Sequence, residues 1–315
     1  MKRYLCAIAL LLCLLPCSAC AFSQQPYTIT LIPKGSLSVD FWQSVYDGAQ
    51  AAADVYGVNL VLETPSTEDN YQEQIDLLLG AAESGSDAIV LAASDYTLLA
   101  EPVQQVIDAG VPVVMVDSDV DNANTVAYVG TDNEAMGQLL AESLCEYVTQ
   151  SGDVAIISFV QDSQSAMLRE QGFRSVMEND SRFTLLDTAY CNSDATEAMA
   201  LTVALLMENT DIVAIAALND PSIEGVCAAL AYFPEREIQV FSIDCTPKQV
   251  PYIEDGTIDV SVLQNPYQMG YLAVERAYQY LEGETTQENI YTDIYAADIS
   301  LIYEDLYQQL IFPFE

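Results

Sequence analysis

The sequence predicts an α/β protein built as two similar doubly wound lobes, each a parallel sheet covered by helices. Three observations predict it. Short apolar runs alternate strictly with helical patterns. Those runs are β-branched and apolar on both faces, which a sheet with helices on each side requires. The alternation also completes one series and then restarts. A chain of 315 residues is long enough for two such lobes. Its 51% hydrophobic and 18% charged content excludes a disordered protein.

The elements follow in order. YTITLIP (27–33) is a first strand, and residues 41–56 carry Val45, Ala49, Ala52 and Ala53 on one helical face. NLVLET (59–64) is a strand and 71–83 a helix; AIVLAA (88–93) is a strand and 97–109 a helix. VPVVMVD (111–117) and TVAYVG (125–130) complete the first series. The second opens with a helix over 134–150, the strand VAIISF (154–159) and a helix over 164–179. FTLLDTAY (183–190), IVAIAAL (212–218), QVFSID (239–244) and IDVSVLQ (258–264) are further strands. Helices over 194–208, 221–231 and 247–254 separate them, and a last helix spans 268–281. The tail 290–315 is rich in Tyr, Ile and Leu and is expected to pack on a lobe.

The first twenty residues read differently. Lys2 and Arg3 precede an apolar run over 5–16 and then the small residues CSAC, the pattern of an export signal. The run is short for a membrane span, and no later stretch offers about 18 consecutive apolar residues. Cys17-Ser18-Ala19-Cys20 resembles a bacterial lipobox, which implies lipidation at Cys20 and attachment to a membrane by that anchor alone. Beyond it stand Cys145, Cys191, Cys227 and Cys245, without metal-type spacing, and buried free thiols are the simplest reading.

The charge is extreme. Nine basic residues face 47 acidic ones, and Lys2 and Arg3 belong to the leader while residues 1–26 hold no acid. The remaining chain carries 7 − 47 = −40. Such a field repels nucleic acid, anionic membrane surfaces and polyanionic ligands, and leaves a neutral or cationic ligand. The absence of histidine removes the commonest general base and metal ligand. Asp117-Ser-Asp119-Val-Asp121 fails as a calcium loop, since Asn122 and Tyr128 stand where Gly and Glu are needed. No catalytic residue, metal site or cofactor is expected.

Ligands of open parallel sheets sit beyond the carboxyl ends of the strands. Residues 34–40 with Phe41-Trp42 follow the first strand, Ser94-Asp95 the third and Asp117-Ser118-Asp119 the fourth. In the second series come residues 161–169, then Tyr190-Cys191-Asn192, Leu218-Asn219-Asp220, Asp244-Cys245 and Gln264-Asn265. Planar donors and acceptors with aromatic faces among them suit a neutral polyol, whose hydroxyls need the first and whose C–H surface needs the second. Asp and Asn after a strand also cap the next helix, as Asp40, Asp132 and Asp220 are placed to do. For one residue the two roles stand equal; for the set, a cleft is the better account.

DFWQSVYDGAQAAA, GVPVVMVDSD, YVGTDNEAMG, REQGF, ALNDPSIEGVCAAL, FSIDCTP and LQNPYQMGYLA occur in the order and spacing of a known family. Through them nearly the whole chain past the leader resembles the solute-binding proteins of sugar ABC importers, of ribose-binding type. The resemblance implies two lobes joined by a three-segment hinge and closing on a ligand. The lobes would be 27–131 plus 266–292 and 132–265 plus 293–315, with 1–20 as signal peptide and lipobox. It implies that Phe41 and Trp42 hold a sugar ring, that Asp117 grips ring hydroxyls, and that Arg169, Asn219, Asp244 and Gln264 complete the site from the second lobe. Ser118 stands where ribose binders have Arg, and SLSVD replaces their asparagine-rich loop, which points to another neutral sugar or polyol. Tyr190 is the candidate for a second-lobe aromatic. The partners implied are a small neutral sugar and an ABC permease, the protein itself being an extracytoplasmic, lipid-anchored monomer.

Other classes fare worse. An enzyme lacks a nucleophile elbow, a P-loop and HExxH. A repressor lacks a basic face. A ligand-sensing partner of a membrane receptor kinase, or a binder of a nucleoside or amine, remains an alternative to a sugar importer component.

Overall fold

The computed structural model describes residues 26–285 and 289–312; the leader and Cys20 lie outside the described residues. Two sheets organise the chain. The first takes β1 (Thr28–Ile32), β2 (Asn59–Leu62), β3 (Ala88–Leu91), β4 (Val113–Val116), β5 (Ala127–Thr131) and β12 (Ile290–Thr292), in the order β12-β5-β4-β3-β1-β2, every pair parallel. The second takes β6 (Gly152–Ser158), β7 (Phe183–Leu185), β8 (Ala189–Tyr190), β9 (Ile212–Ala217), β10 (Gln239–Ile243), β11 (Val260–Leu263) and β13 (Tyr295–Ala297). Its order is β13-β11-β10-β9-β6-β7, with β8 also on β6, and only the β11–β13 pair is antiparallel. The AIVL of β3 and the VVMV of β4 are buried at every position, as strands covered on both faces must be.

The helices are α1 (Asp40–Tyr56), α2 (Tyr71–Glu83), α3 (Ala100–Asp108), α4 (Asn133–Tyr147), α5 (Gln164–Met177), α6 (Ala195–Glu208), α7 (Asp220–Leu230), α8 (Val250–Glu254), α9 (Pro266–Leu281) and α10 (Asp305–Ile311). Among the described residues, side-chain caps start six of the ten: Asn70 before α2, Asp132 before α4, Ser163 before α5, Asp194 before α6, Asn219 before α7 and Asn265 before α9. The chain changes sheets three times. It leaves the first sheet after β5, returns after β11 so that α9 packs along α1, and crosses again between β12 and β13. The tail thus joins both sheets, and Tyr307 and Ile311 of α10 bury in the second core.

Close helix contacts aim one part of the cleft. A Cβ on Gly172 would stand 2.0 Å from the carbonyl oxygen of Glu134, and one on Gly137 2.1 Å from that of Arg169. Helices α4 and α5 therefore touch backbone to backbone. This explains the glycines of YVGTDNEAMG and REQGF and fixes where the Arg169 side chain starts.

Several bounds shift by up to three residues from expectation, as where the helices expected over 97–109 and 134–150 span Ala100–Asp108 and Asn133–Tyr147, and two differences have a visible cause. The strand expected over 183–190 is broken into β7 and β8, because Thr188 is drawn to Arg174 and Glu170 of α5. The helix expected from 247 begins at Val250, because the backbone and hydroxyl of Thr246 both donate to the Gln249 side chain and hold a turn. Cys145, Cys191, Cys227 and Cys245 are all free, and the last three are buried.

Candidate functional site

The carboxyl ends of both sheets face one cleft between the lobes. Its lining includes Phe41, Trp42, Asp117, Arg169, Asn219, Asp244 and Gln264, seven residues singled out in the sequence, together with Lys34, Ser165 and Asp220, which the sequence places beyond strand ends without a ligand-binding role of their own, and Glu68 and Phe159, which it does not single out. The cleft is closed. Space for the centre of a water amounts to about 20 Å³, roughly one molecule.

Two aspartates have the same construction. Asp117 follows β4 and Asp244 follows β10, and both take left-handed backbone conformations, with φ of 61° and 75°. That conformation is costly for a residue other than glycine and is kept where surroundings enforce it. Tyr128 Oη donates to the Asp117 carbonyl at 2.9 Å, and Ser261 Oγ donates to the Asp244 carbonyl at 2.6 Å. In each lobe a hydroxyl from the neighbouring strand secures the turn that swings a carboxylate into the cleft.

Their electrical surroundings differ. Asp117 Oδ2 lies 2.8 Å from Lys34 Nζ, and Oδ1 lies 4.0 Å from Arg169 Nη2. The Lys34 pair is close but poorly aligned, so Oδ2 receives no well-directed hydrogen bond. Asp244 accepts from Gln264 Nε2 at 2.7 Å and from the Asp220 backbone N–H at 3.1 Å. Burial pushes the Asp244 carboxyl above the usual range, against the pull of Arg169 and Gln264. Asp220 is pushed up to about 7, first by burial and then by the charge of Asp244.

Arg169 is held before it reaches the cleft. Its Nε donates to Asn133 Oδ1 at 2.8 Å and its Nη1 to the Leu218 carbonyl at 2.8 Å, which leaves Nη2 toward Asp117. Asn133 is itself tied to the Thr131 carbonyl at 3.2 Å, at the first crossing between lobes. Gln264 accepts from Thr131 Oγ1 at 2.7 Å, joining the first crossing to the second. Asn219 caps α7 through Oδ1 and donates to Ser193 Oγ at 3.1 Å, so one side chain serves helix and cleft together.

The aromatic pair forms one wall. Phe41 and Trp42 meet edge to face at 4.9 Å, and Trp42 Nε1 donates to Glu68 Oε1 at 2.6 Å. Phe159, at the end of β6, faces them from the second lobe. Lys34 Nζ lies 5.2 Å from its ring centre and the Arg169 guanidinium 5.4 Å.

Two expected residues stand elsewhere. Ser118 is fully buried, but its backbone pairs with Val116 and Ala93 and its hydroxyl is absent from the cleft lining, because the left-handed turn at Asp117 points the next side chain away. Tyr190 donates its hydroxyl to Glu170 Oε2 at 2.6 Å, on the flank of α5. The second-lobe ring in the cleft is Phe159 instead. The helix-cap reading fits Asp132 but not Asp40 or Asp220: the latter two are the first residues of their helices, and Asn219 caps α7. Among the described residues no cluster of acids, cysteines or histidines could hold a metal, and no helix is long and apolar enough to cross a membrane.

The profile of the periplasmic binding protein domain matches residues 29–285. The ribose import binding protein of Salmonella typhimurium is 24% identical over 275 residues, 87% of this chain and 90% of its own. The D-ribose/D-allose-binding protein of Pseudomonas aeruginosa is 27% identical over 298 residues, 91% and 93% of the two chains. An ABC transporter solute-binding protein of Agrobacterium vitis, solved with bound D-fucose, superposes with a TM-score of 0.87 at 26% identity, over 90% of this chain and 100% of that one.

Proposed function

The chain belongs to the periplasmic binding protein domain family, and from that premise we propose that it captures a neutral monosaccharide or related polyol between its lobes and delivers it to an ABC importer. The observation that carries the reading is the lining itself: three aromatic rings, Phe41, Trp42 and Phe159, around carboxylates, an arginine and amides from both lobes. The rings offer flat apolar area at low entropic cost. Asp117 and Arg169 offer charge-assisted hydrogen bonds, and Asn219 and Gln264 add neutral ones. Since both lobes supply contacts, a ligand favours the closed arrangement by its differential affinity for it. The relatives' names, with ribose, allose and fucose among them, support a sugar.

Further parts of the proposal rest on the sequence. Cys20 is lipidated and anchors a monomer outside the cell membrane, where a permease meets the closed form. The lobes divide at 131/132, 265/266 and 292/293, a division supported by the changes of sheet between β5 and β6, β11 and β12, and β12 and β13.

The test is a thermal-shift and fluorescence screen of neutral monosaccharides and polyols. Trp42, the only tryptophan, is the internal reporter. A true ligand at about 100 times its Kd stabilises by about 2.7 kcal/mol. Trp42→Ala should weaken it at least about 100-fold while the fold survives. Stabilisation by an amine and by no sugar overturns the reading.

A further inference from the structure

Lys34 and Glu68 are two buried charges of the first lobe, 2% and 7% exposed, that follow β1 and β2 into the cleft. Each meets a hydroxyl from the second lobe. Lys34 Nζ donates to Ser165 Oγ at 2.9 Å, and Glu68 Oε2 accepts from Ser193 Oγ at 2.6 Å. They stand on two sides of Trp42: the ammonium lies 5.7 Å from its ring centre, and the carboxylate takes its Nε1–H at 2.6 Å. Ser193 keeps its position through a left-handed backbone, φ 57°, and a hydrogen bond from Asn219.

The polarity is complementary. One first-lobe group gives a proton to a hydroxyl and the other takes a proton from a hydroxyl. A hydroxyl can play either part, an ammonium only gives and a carboxylate only takes. With room for about one water, a monosaccharide can enter only by separating these serine contacts. Its own hydroxyls can then assume both roles along the Trp42 face. A sugar acid would set its carboxylate against Glu68, and an amino sugar its ammonium against Lys34.

We propose that Lys34 and Glu68 determine the specificity of the cleft for uncharged polyhydroxy ligands, and that Ser165 and Ser193 are placeholder hydroxyls which the ligand displaces. This rests on the sugar-binding reading above and names the residues that enforce neutrality.

The experiment is calorimetric titration of the wild type and four variants with a neutral sugar taken from the screen, its amino-sugar analogue and its uronate. Glu68→Gln should weaken the neutral sugar by about 10- to 100-fold and narrow the discrimination against the uronate by at least about tenfold. Lys34→Met should do the same toward the amino sugar. Ser165→Ala and Ser193→Ala should keep wild-type affinity within about threefold or tighten it, because the groups they remove compete with the ligand. Should Lys34→Met fail to fold, Ser165→Ala and Glu68→Gln still decide the matter. Wild-type affinity and discrimination in Glu68→Gln, or a loss in the serine variants as large as in Glu68→Gln, overturns the inference and leaves the sugar-binding reading standing. A wild type that binds no neutral sugar overturns both.

Discussion

Asp117 and Asp244 are the same device used twice. Each ends a central strand, each turns through a left-handed residue, and each has its carbonyl secured by a hydroxyl from the neighbouring strand. The loops around them make the difference. Asp117 faces the ammonium of Lys34 and the guanidinium of Arg169, whereas Asp244 faces amides and a second carboxylate, Asp220. The first half of the cleft is charge-matched and the second is charge-crowded. Backbone repetition therefore fixes where the acids stand, and side chains outside the repeat fix what they do.

The largest effect should separate the two directly. Asp117→Asn leaves the Lys34 ammonium buried without its carboxylate, a change worth about 3–5 kcal/mol of stability. Asp244→Asn removes one of two adjacent acids, keeps an acceptor for the Asp220 N–H and offers its carboxylate a donor. It should be neutral or stabilising at pH 7. Denaturant unfolding of both variants checks this, and equal losses would break the comparison.

Next comes pH. Asp220 is raised on folding from an ordinary carboxyl value to about 7. The folded chain thus binds this proton more tightly than the unfolded one. The full contribution is present below the unfolded value near 4 and is withdrawn as pH climbs through about 7. A shift of about 3 units corresponds to about 4 kcal/mol. Asp220→Asn should match the wild type at pH 4 and exceed it by up to that amount at pH 8. General repulsion within so acidic a chain acts on both proteins, so their difference isolates this group. Parallel stability curves from pH 4 to 8 would show that neither burial nor Asp244 raises it.

The sequence discloses the framework well because a parallel sheet writes itself in apolar runs, and the cleft lies where those runs end. Phe41, Trp42, Asp117, Arg169, Asn219, Asp244 and Gln264 are legible for that reason, and the structure brings them together. Ser118 and Tyr190 mark the limit of the rule. Position after a strand gives a residue's height above the sheet but not the direction of its side chain, and a left-handed turn or one step of strand alternation sends it away. Lys34, Glu68, Phe159 and Ser165 show the opposite limit. Phe159 is the last residue of an apolar run and looks like core, and Ser165 lies within the first turn of α5. Glu68 is one acid among 47. Lys34 carried a usable signal: it is one of only seven basic residues past the leader and directly follows the first strand.

The smallest effect contrasts two lysines that tie one lobe to the other. Lys34 crosses inside the cleft at 2% exposure, whereas Lys248 crosses at the surface with its side chain 51% exposed. Lys248 reaches Asp40 of the first lobe at 3.3 Å and Glu224 of its own lobe at 3.5 Å. Water screens both contacts, and a long side chain must be ordered to make them, so Lys248→Ala should cost less than about 1 kcal/mol. That loss should fade in 1 M salt, where the screening length falls to about 3 Å. The Lys34 contacts, shielded from solvent, should keep their strength under the same salt. Thermal unfolding of Lys248→Ala and Ser165→Ala at low and high salt makes the comparison. If the surface variant alone loses its effect as salt rises, the cleft contact is the salt-independent tie between the lobes; if both lose it together, solvent reaches Lys34 and the distinction between the two crossings fails.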